Sequence, residues 1–216
     1  MSLRLPPALV ALTPGDLAVS PCASTAASIE RAVGAAFEAG LRGVVLREAG
    51  ASDRSYLELA RSLRRILDSA AGGWLCLHDR PHLARAALAD AVHLGGRSLA
   101  AKEVRAWLDP SIALGLSTHA SDDPATWRGA DYLFHGPVRP TTKSSARAPI
   151  GFDGLARAVR STARPIWALG GLEPEHARAI AAAGARGVAV LSGILPRTDL
   201  GARVRAYLDN CAVFGS

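Results

Sequence analysis

The chain is short of cysteine and aromatic residues and has no long apolar run. Its three cysteines, Cys22, Cys76 and Cys211, are odd in number, far apart and never at metal-ligand spacing. That excludes a disulfide framework and a cysteine-held metal, and the thiols read as reduced and structural, as in a cytosolic protein. The N-terminal Met-Ser-Leu-Arg-Leu-Pro-Pro lacks an apolar core and a cleavage site, so no export signal is expected. No stretch is long enough to span a bilayer. A cytoplasmic location and no membrane partner are the expectation. Also missing are a G-x-G-x-x-G turn after the first strand and any block of like charge. The net charge of +6 comes mostly from arginines scattered over predicted helices without interleaved aromatics. A nucleic-acid partner is therefore not expected, whereas an anionic ligand is.

What is there is an alternation. Apolar residues make up 49% of the chain, enough for a sizeable core. Strand-like runs are expected at Ala8–Leu12, Gly43–Arg47, Trp74–Leu77, Ala91–Leu94, Ile112–Leu116, Asp131–Phe134, Pro165–Leu169 and Val188–Leu191. Helices are expected between them at Ala26–Ala39, Ser55–Ala70, Pro81–Ala89, Ala100–Leu108, Asp122–Arg128, Phe152–Val159 and Pro174–Ala183, and after them at Leu200–Leu208. Eight such units with no hairpin signal and no linker predict a parallel sheet. In 216 residues they predict a closed α/β structure, a single (β/α)8 TIM barrel over 1–216.

In such a barrel, chemistry sits at the C-terminal strand ends. Gly170 and Gly171 after the seventh strand, with Leu191, Ser192 and Gly193 after the eighth, form a candidate phosphate cradle, because glycine lets backbone N–H groups approach an anion. Arg47 and Lys143 are candidate anion clamps, and Thr141 and Thr142 stand beside the lysine. Glu48 is either a base or the partner that fixes Arg47. His119, two residues past Ser117 at the end of the fifth strand, is the candidate proton carrier, since imidazole titrates near neutrality. His82 and His176 read as surface residues and His93 as a core histidine, while His78 and His135 stay open. Asp79 is either a Mg²⁺ ligand without a second carboxylate nearby or a cap for the helix opening at Pro81.

Between about residues 8 and 195 the chain resembles the thiamin phosphate synthase superfamily, which includes the TenI-like thiazole tautomerases. The resemblance is carried by Val45-Leu-Arg-Glu, His78-Asp-Arg-Pro-His-Leu-Ala, Asp90-Ala-Val-His-Leu-Gly and Gly115-Leu-Ser-Thr-His. It continues through Ala130-Asp-Tyr-Leu-Phe-His-Gly-Pro-Val, Ala168-Leu-Gly-Gly and Gly187-Val-Ala-Val-Leu-Ser-Gly-Ile. It implies a barrel of thiamin biosynthesis that binds a small-molecule thiazole phosphate, with a homodimer as a possible assembly. The synthase joins a pyrimidine methyl diphosphate to thiazole phosphate with Mg²⁺ and releases pyrophosphate. Its Gln-x-Arg-x-Lys pattern stands here as Val45-Leu46-Arg47-Glu48-Ala49, its Asn-Asp pair as His78-Asp79, and its second Mg²⁺ carboxylate falls at Ser98. The Thr-x-Thr-Lys of its sixth loop is shortened to Thr141-Thr142-Lys143.

These departures point toward the tautomerase branch, which needs no metal or other cofactor and moves a proton so that a carboxythiazole phosphate becomes aromatic. Its Ser-x-His turn matches Ser117-Thr118-His119, which makes His119 the expected catalytic group. Arg47, Glu48, His78, Ser117 and Thr141–Lys143 then contact substrate, and Gly170, Gly171, Leu191, Ser192 and Gly193 hold its phosphate. The alternatives are a divergent synthase, with Asp79 as its Mg²⁺ ligand, and an inactive binder of thiazole phosphate or thiamin phosphate.

Overall fold

A computed structural model describes residues 3–15, 23–69, 72–141, 148–195 and 197–215. Eight parallel strands close on themselves in sequence order, each hydrogen-bonded to its neighbours and β8 to β1. They are β1 Leu9–Leu12, β2 Gly43–Leu46, β3 Trp74–His78, β4 Ala91–Leu94, β5 Ala113–Thr118, β6 Tyr132–His135, β7 Ile166–Leu169 and β8 Gly187–Val190. Among the described residues six α-helices lie outside: α1 Ala23–Glu38, α2 Asp53–Ser69, α3 Ala101–Arg105, α4 Gly151–Arg160, α5 Ala177–Ala182 and α6 Leu200–Cys211. The expected TIM barrel is the observed fold.

The strands are apolar on both faces because both are covered. One face packs on the helices. The other fills the bore with Val10, Leu12, Val45, Trp74, Cys76, Tyr132, Phe134 and Trp167, interleaved with Ala91, Ala113 and Ala189. Several of the chain's few aromatics are thus inside the barrel. Their bulk is met by the smallest residues: a Cβ on Gly115 would stand 2.2 Å from the Tyr132 ring. The indole N–H groups of Trp74 and Trp167 donate to the carbonyls of Arg4 (2.9 Å) and Pro7 (2.8 Å), so the N-terminal segment closes the bottom of the bore.

The helix expected over Pro81–Ala89 does not form. A single 3₁₀ turn, Pro81–Leu83, is followed by further turns. Only the twelve residues 79–90 connect β3 to β4. About a dozen is the lower limit for a parallel crossover, and a full helix cannot turn at both ends within it. Tight turns replace it, with Asp79 (φ 58°), Arg80 (φ 55°) and Leu88 (φ 51°) all left-handed. The unit after β5 keeps only a 3₁₀ turn, Pro124–Trp127.

Candidate functional site

The C-terminal strand ends surround a cavity of about 430 Å³. Arg47, His78, Ser117, His119, Thr141, Gly170, Gly171, Leu191, Ser192 and Gly193 all line it, which brings together ten of the residues expected from the sequence. Glu48 and Asp79 are not among the lining residues. Thr142 and Lys143, like Asp16 and Cys22, lie outside the described residues. A larger cavity, about 630 Å³, opens at the opposite end between the N-terminal residues, β7 and Phe214. Its Arg164 donates to the carbonyl of Ala130 (2.8 Å), and the bottom of a barrel serves stability rather than chemistry.

The side of the mouth formed by β7 and β8 is made of backbone. Gly170 (φ 96°) and Gly171 (φ 64°) leave β7 in left-handed conformations. A Cβ on Gly171 would reach 2.4 Å from the Pro140 carbonyl oxygen, so only glycine fits. Among the described residues, the amides of Gly171, Ser192 and Gly193 donate to no protein acceptor. Gly171 and Ser192 are exposed at the mouth. Unpaired amides at paired loop ends match a phosphate oxygen shell. Gly193 also answers a packing need, since its Cβ would meet the Tyr207 hydroxyl at 2.6 Å. Behind the loop, Arg203 donates to the Gly193 carbonyl (3.2 Å) and pairs with Glu173, another lining residue. Sequence reading missed this brace, which depends on α6 folding back over the loop.

The side formed by β2 to β4 is made of side chains that hold one another. Glu48 is buried, and its Oε1 accepts the Gly15 amide (3.0 Å). It thus braces the loop after β1 and, among the described residues, makes no ion pair with Arg47. The Arg47 guanidinium reaches the Pro14 carbonyl at 3.5 Å, and no carboxylate among the described residues pairs with it, which leaves its charge for a ligand. Asp79 does not cap the turn at Pro81. It accepts from the Ser98 hydroxyl and lies 3.3 Å from His78 Nδ1. Partial burial raises its pKa, but the bonds from His78 and Ser98 outweigh that and hold the carboxyl below its ordinary value. Arg80 is held by Asp53 and the carbonyls of Ala49 (3.2 Å) and Ala51 (2.5 Å), and stacks over Tyr56. His82 meets Asp53 at 2.9 Å, on the surface as expected.

A dedicated Mg²⁺ site does not fit this donor set. Asp79 offers one carboxylate with both oxygens engaged, and no group of three acidic, histidine or cysteine side chains converges among the described residues.

The floor and wall of the cavity carry histidines. The backbone N–H of His119 donates to Asp122 Oδ2 (2.7 Å), and its ring Nδ1 lies 3.4 Å from the same oxygen. The carboxylate thus lies on the Nδ1 side of a ring that lines the cavity. His93 is buried, as a core histidine would be, but it lines the cavity and its Nε2 meets Ser117 Oγ at 2.9 Å. His135 faces outward, with Nδ1 2.9 Å from Thr118 Oγ1.

Residues 17–194 match the thiamine monophosphate synthase family. The chain is 39% identical over 176 residues to a protein of Geobacter sulfurreducens, covering 80% of this chain and 82% of that one. It is 37% identical over 174 residues to thiamine-phosphate synthase of Moorella thermoacetica, covering 79% and 82%. Among solved structures, thiamine phosphate pyrophosphorylase of Pyrococcus furiosus superposes with a TM-score of 0.78 at 25% identity, over 96% of each chain.

Proposed function

The chain belongs to the thiamine monophosphate synthase family, and from that premise we propose that it is a thiazole tautomerase. It holds a carboxythiazole phosphate by the β7–β8 cradle and moves a proton on it through His119. The observation that carries this reading is the asymmetry of the mouth. Unpaired amides and an imidazole beside Asp122 line the cavity, while on the β2–β4 side Arg47 is the one arginine or lysine among the described lining residues and no paired carboxylates converge.

In this reading the amides of Gly171, Ser192 and Gly193, with the Ser192 hydroxyl, bind the phosphate. Arg47 holds the substrate carboxylate. His119 Nε2 removes a proton from the non-aromatic ring and returns one elsewhere on the same molecule, so the ring becomes aromatic with no net change in protons or electrons. Asp122 stabilises the imidazolium between the two transfers. Losing this acid–base group costs on the order of 10² to 10⁴ in rate. Incubating the protein with the less stable carboxythiazole phosphate tautomer tests the reading. His119→Ala is expected to slow the wild-type rate by that factor, and equal rates would end the proposal.

The names of the relatives favour a second reading, a thiamine-phosphate synthase that condenses a pyrimidine methyl diphosphate with thiazole phosphate. Pyrophosphate release from the two substrates, dependent on Mg²⁺, is its signature. Against it stand Val45, Ala49 and Ser98, where the resemblance places a glutamine, a lysine and a carboxylate. A diphosphate leaving group needs strong charge compensation, and the positions that the resemblance assigns to a cation and a second metal ligand hold Ala49 and Ser98.

A further inference from the structure

We infer that His93 is a positioning residue that fixes the Ser117 hydroxyl as a hydrogen-bond donor to the bound heterocycle. His93 sits on β4 opposite Gly115 of β5, with 1% of its surface exposed and its ring stacked on Phe134 at 4.2 Å. Nε2 meets Ser117 Oγ at 2.9 Å. Nδ1 is buried without a partner. It faces the place where Gly115 has no side chain, and a Cβ there would come within 2.5 Å of it.

A neutral imidazole has one N–H and one bare nitrogen. A proton on Nδ1 would make a buried N–H with nothing to receive it, which folded proteins almost never tolerate. A bare Nδ1 against the Gly115 Cα is a far milder arrangement. The proton therefore belongs on Nε2, which donates to Ser117 Oγ. Burial, and then the charge of nearby His78, hold the His93 pKa well below the ordinary histidine value, so the ring stays neutral. With its oxygen accepting from Nε2, the Ser117 hydroxyl turns its own proton toward the cavity it lines. The next hydroxyl shows the contrast. Thr118 points away from the bore, and its Oγ1 lies within hydrogen-bond reach of His135 Nδ1 (2.9 Å) and the Phe134 carbonyl (3.5 Å). The site thus selects a ligand whose inner edge carries an acceptor, such as a ring nitrogen or carboxylate oxygen. That identity rests on the proposed function.

The test has two arms on the full chain. Nitrogen-15 histidine spectra of the wild type read the tautomer directly. Nε2 carrying the proton is expected, and a proton on Nδ1 or a charged ring at neutral pH overturns the inference even if substrate turns over. In the second arm, Ser117→Ala and His93→Leu each raise KM for carboxythiazole phosphate about tenfold, the double variant is no worse than either, and His93→Gln, which keeps an N–H near Nε2, recovers most of the loss. Additive losses, or no rescue by glutamine, overturn it. If Nε2 is protonated but the wild type neither binds nor converts thiazole phosphates, the proposed function falls while the direction of the His93–Ser117 bond stands.

Discussion

The two halves of the barrel mouth are built from different materials. Around β7 and β8 the mouth presents unpaired amides, and the chain leaves β7 through two left-handed glycines. Around β2 to β4 the groups that face the cavity are the side chains of Arg47, His78 and His93, and behind them the polar groups have turned to one another: Asp79 to Ser98 and His78, Arg80 to Asp53, Glu48 to the Gly15 amide. An amide donor survives any substitution that keeps the backbone path. A side-chain cation or carboxylate disappears with one residue, and its neighbours then find partners among themselves. On the proposed reading, the half that would bind phosphate is hard to lose, and the half that would handle a second, diphosphate-bearing substrate is easily converted to structure.

The strongest way to break that comparison is to change the charge in each half. Ser192→Glu puts a carboxylate beside the unpaired amides, and one like charge at close range in a partly shielded site is worth about 4 kcal/mol. Phosphate-ligand affinity should fall on the order of 10³-fold with the melting temperature nearly unchanged, because Ser192 is exposed. Asp79→Asn in the other half should change affinity no more than about tenfold, since only internal hydrogen bonds are affected. Calorimetric titration with thiazole phosphate reads both. Equal losses would mean the halves are not distinct.

A subtler variant sharpens the comparison by restoring what one half lacks. Ser98→Asp sets a second carboxylate in contact with Asp79, where a hydroxyl now donates. Without a cation the two acids repel, and a loss of about 1–3 kcal/mol in stability is expected. Millimolar Mg²⁺ should recover the melting temperature of this variant and leave the wild type unmoved. A wild type stabilised by Mg²⁺ as strongly as the variant would show that the β2–β4 side already holds the ion.

The barrel was legible because strands buried on both faces are uninterrupted apolar runs, such as Val44-Val45-Leu46. That Gly170-Gly171 and Ser192-Gly193 reach the cavity mouth was legible because they follow such runs closely. The helix over Pro81–Ala89 was misread because its residues favour a helix, while the short β3–β4 connection overrides that preference. Glu48 had two readings, base or partner of Arg47, and the structure supplied a third, because Gly15 is its neighbour only once β1 and β2 pair. His93 was hidden for the same reason. A histidine inside an apolar strand reads as core, and its bond to Ser117 exists only through the β4–β5 register.

The smallest expected effect concerns the buried imidazoles on either side of β5. Burial lowers the pKa of both His93 and His135, with His78 adding to the shift in the first and His119 in the second. The unfolded chain holds them at the ordinary value of 6.5, so below that pH it binds more protons than the folded chain. Stability is then fully present above about pH 6.5 and is lost as pH falls toward the folded values, by up to about 1.4 kcal/mol per pH unit for each histidine. Denaturant unfolding between pH 7.5 and 5, above the range of ordinary carboxylates, should show this decline. His93→Gln should remove the larger part of it, because the larger shift of the more deeply buried ring extends the loss to lower pH, whereas His135→Gln should remove less. A wild-type curve flat across that window would mean that these rings accept protons without cost. His93 would then lose the neutrality on which its hold over Ser117 depends, and the contrast between an inward and an outward hydroxyl on β5 would lose its cause.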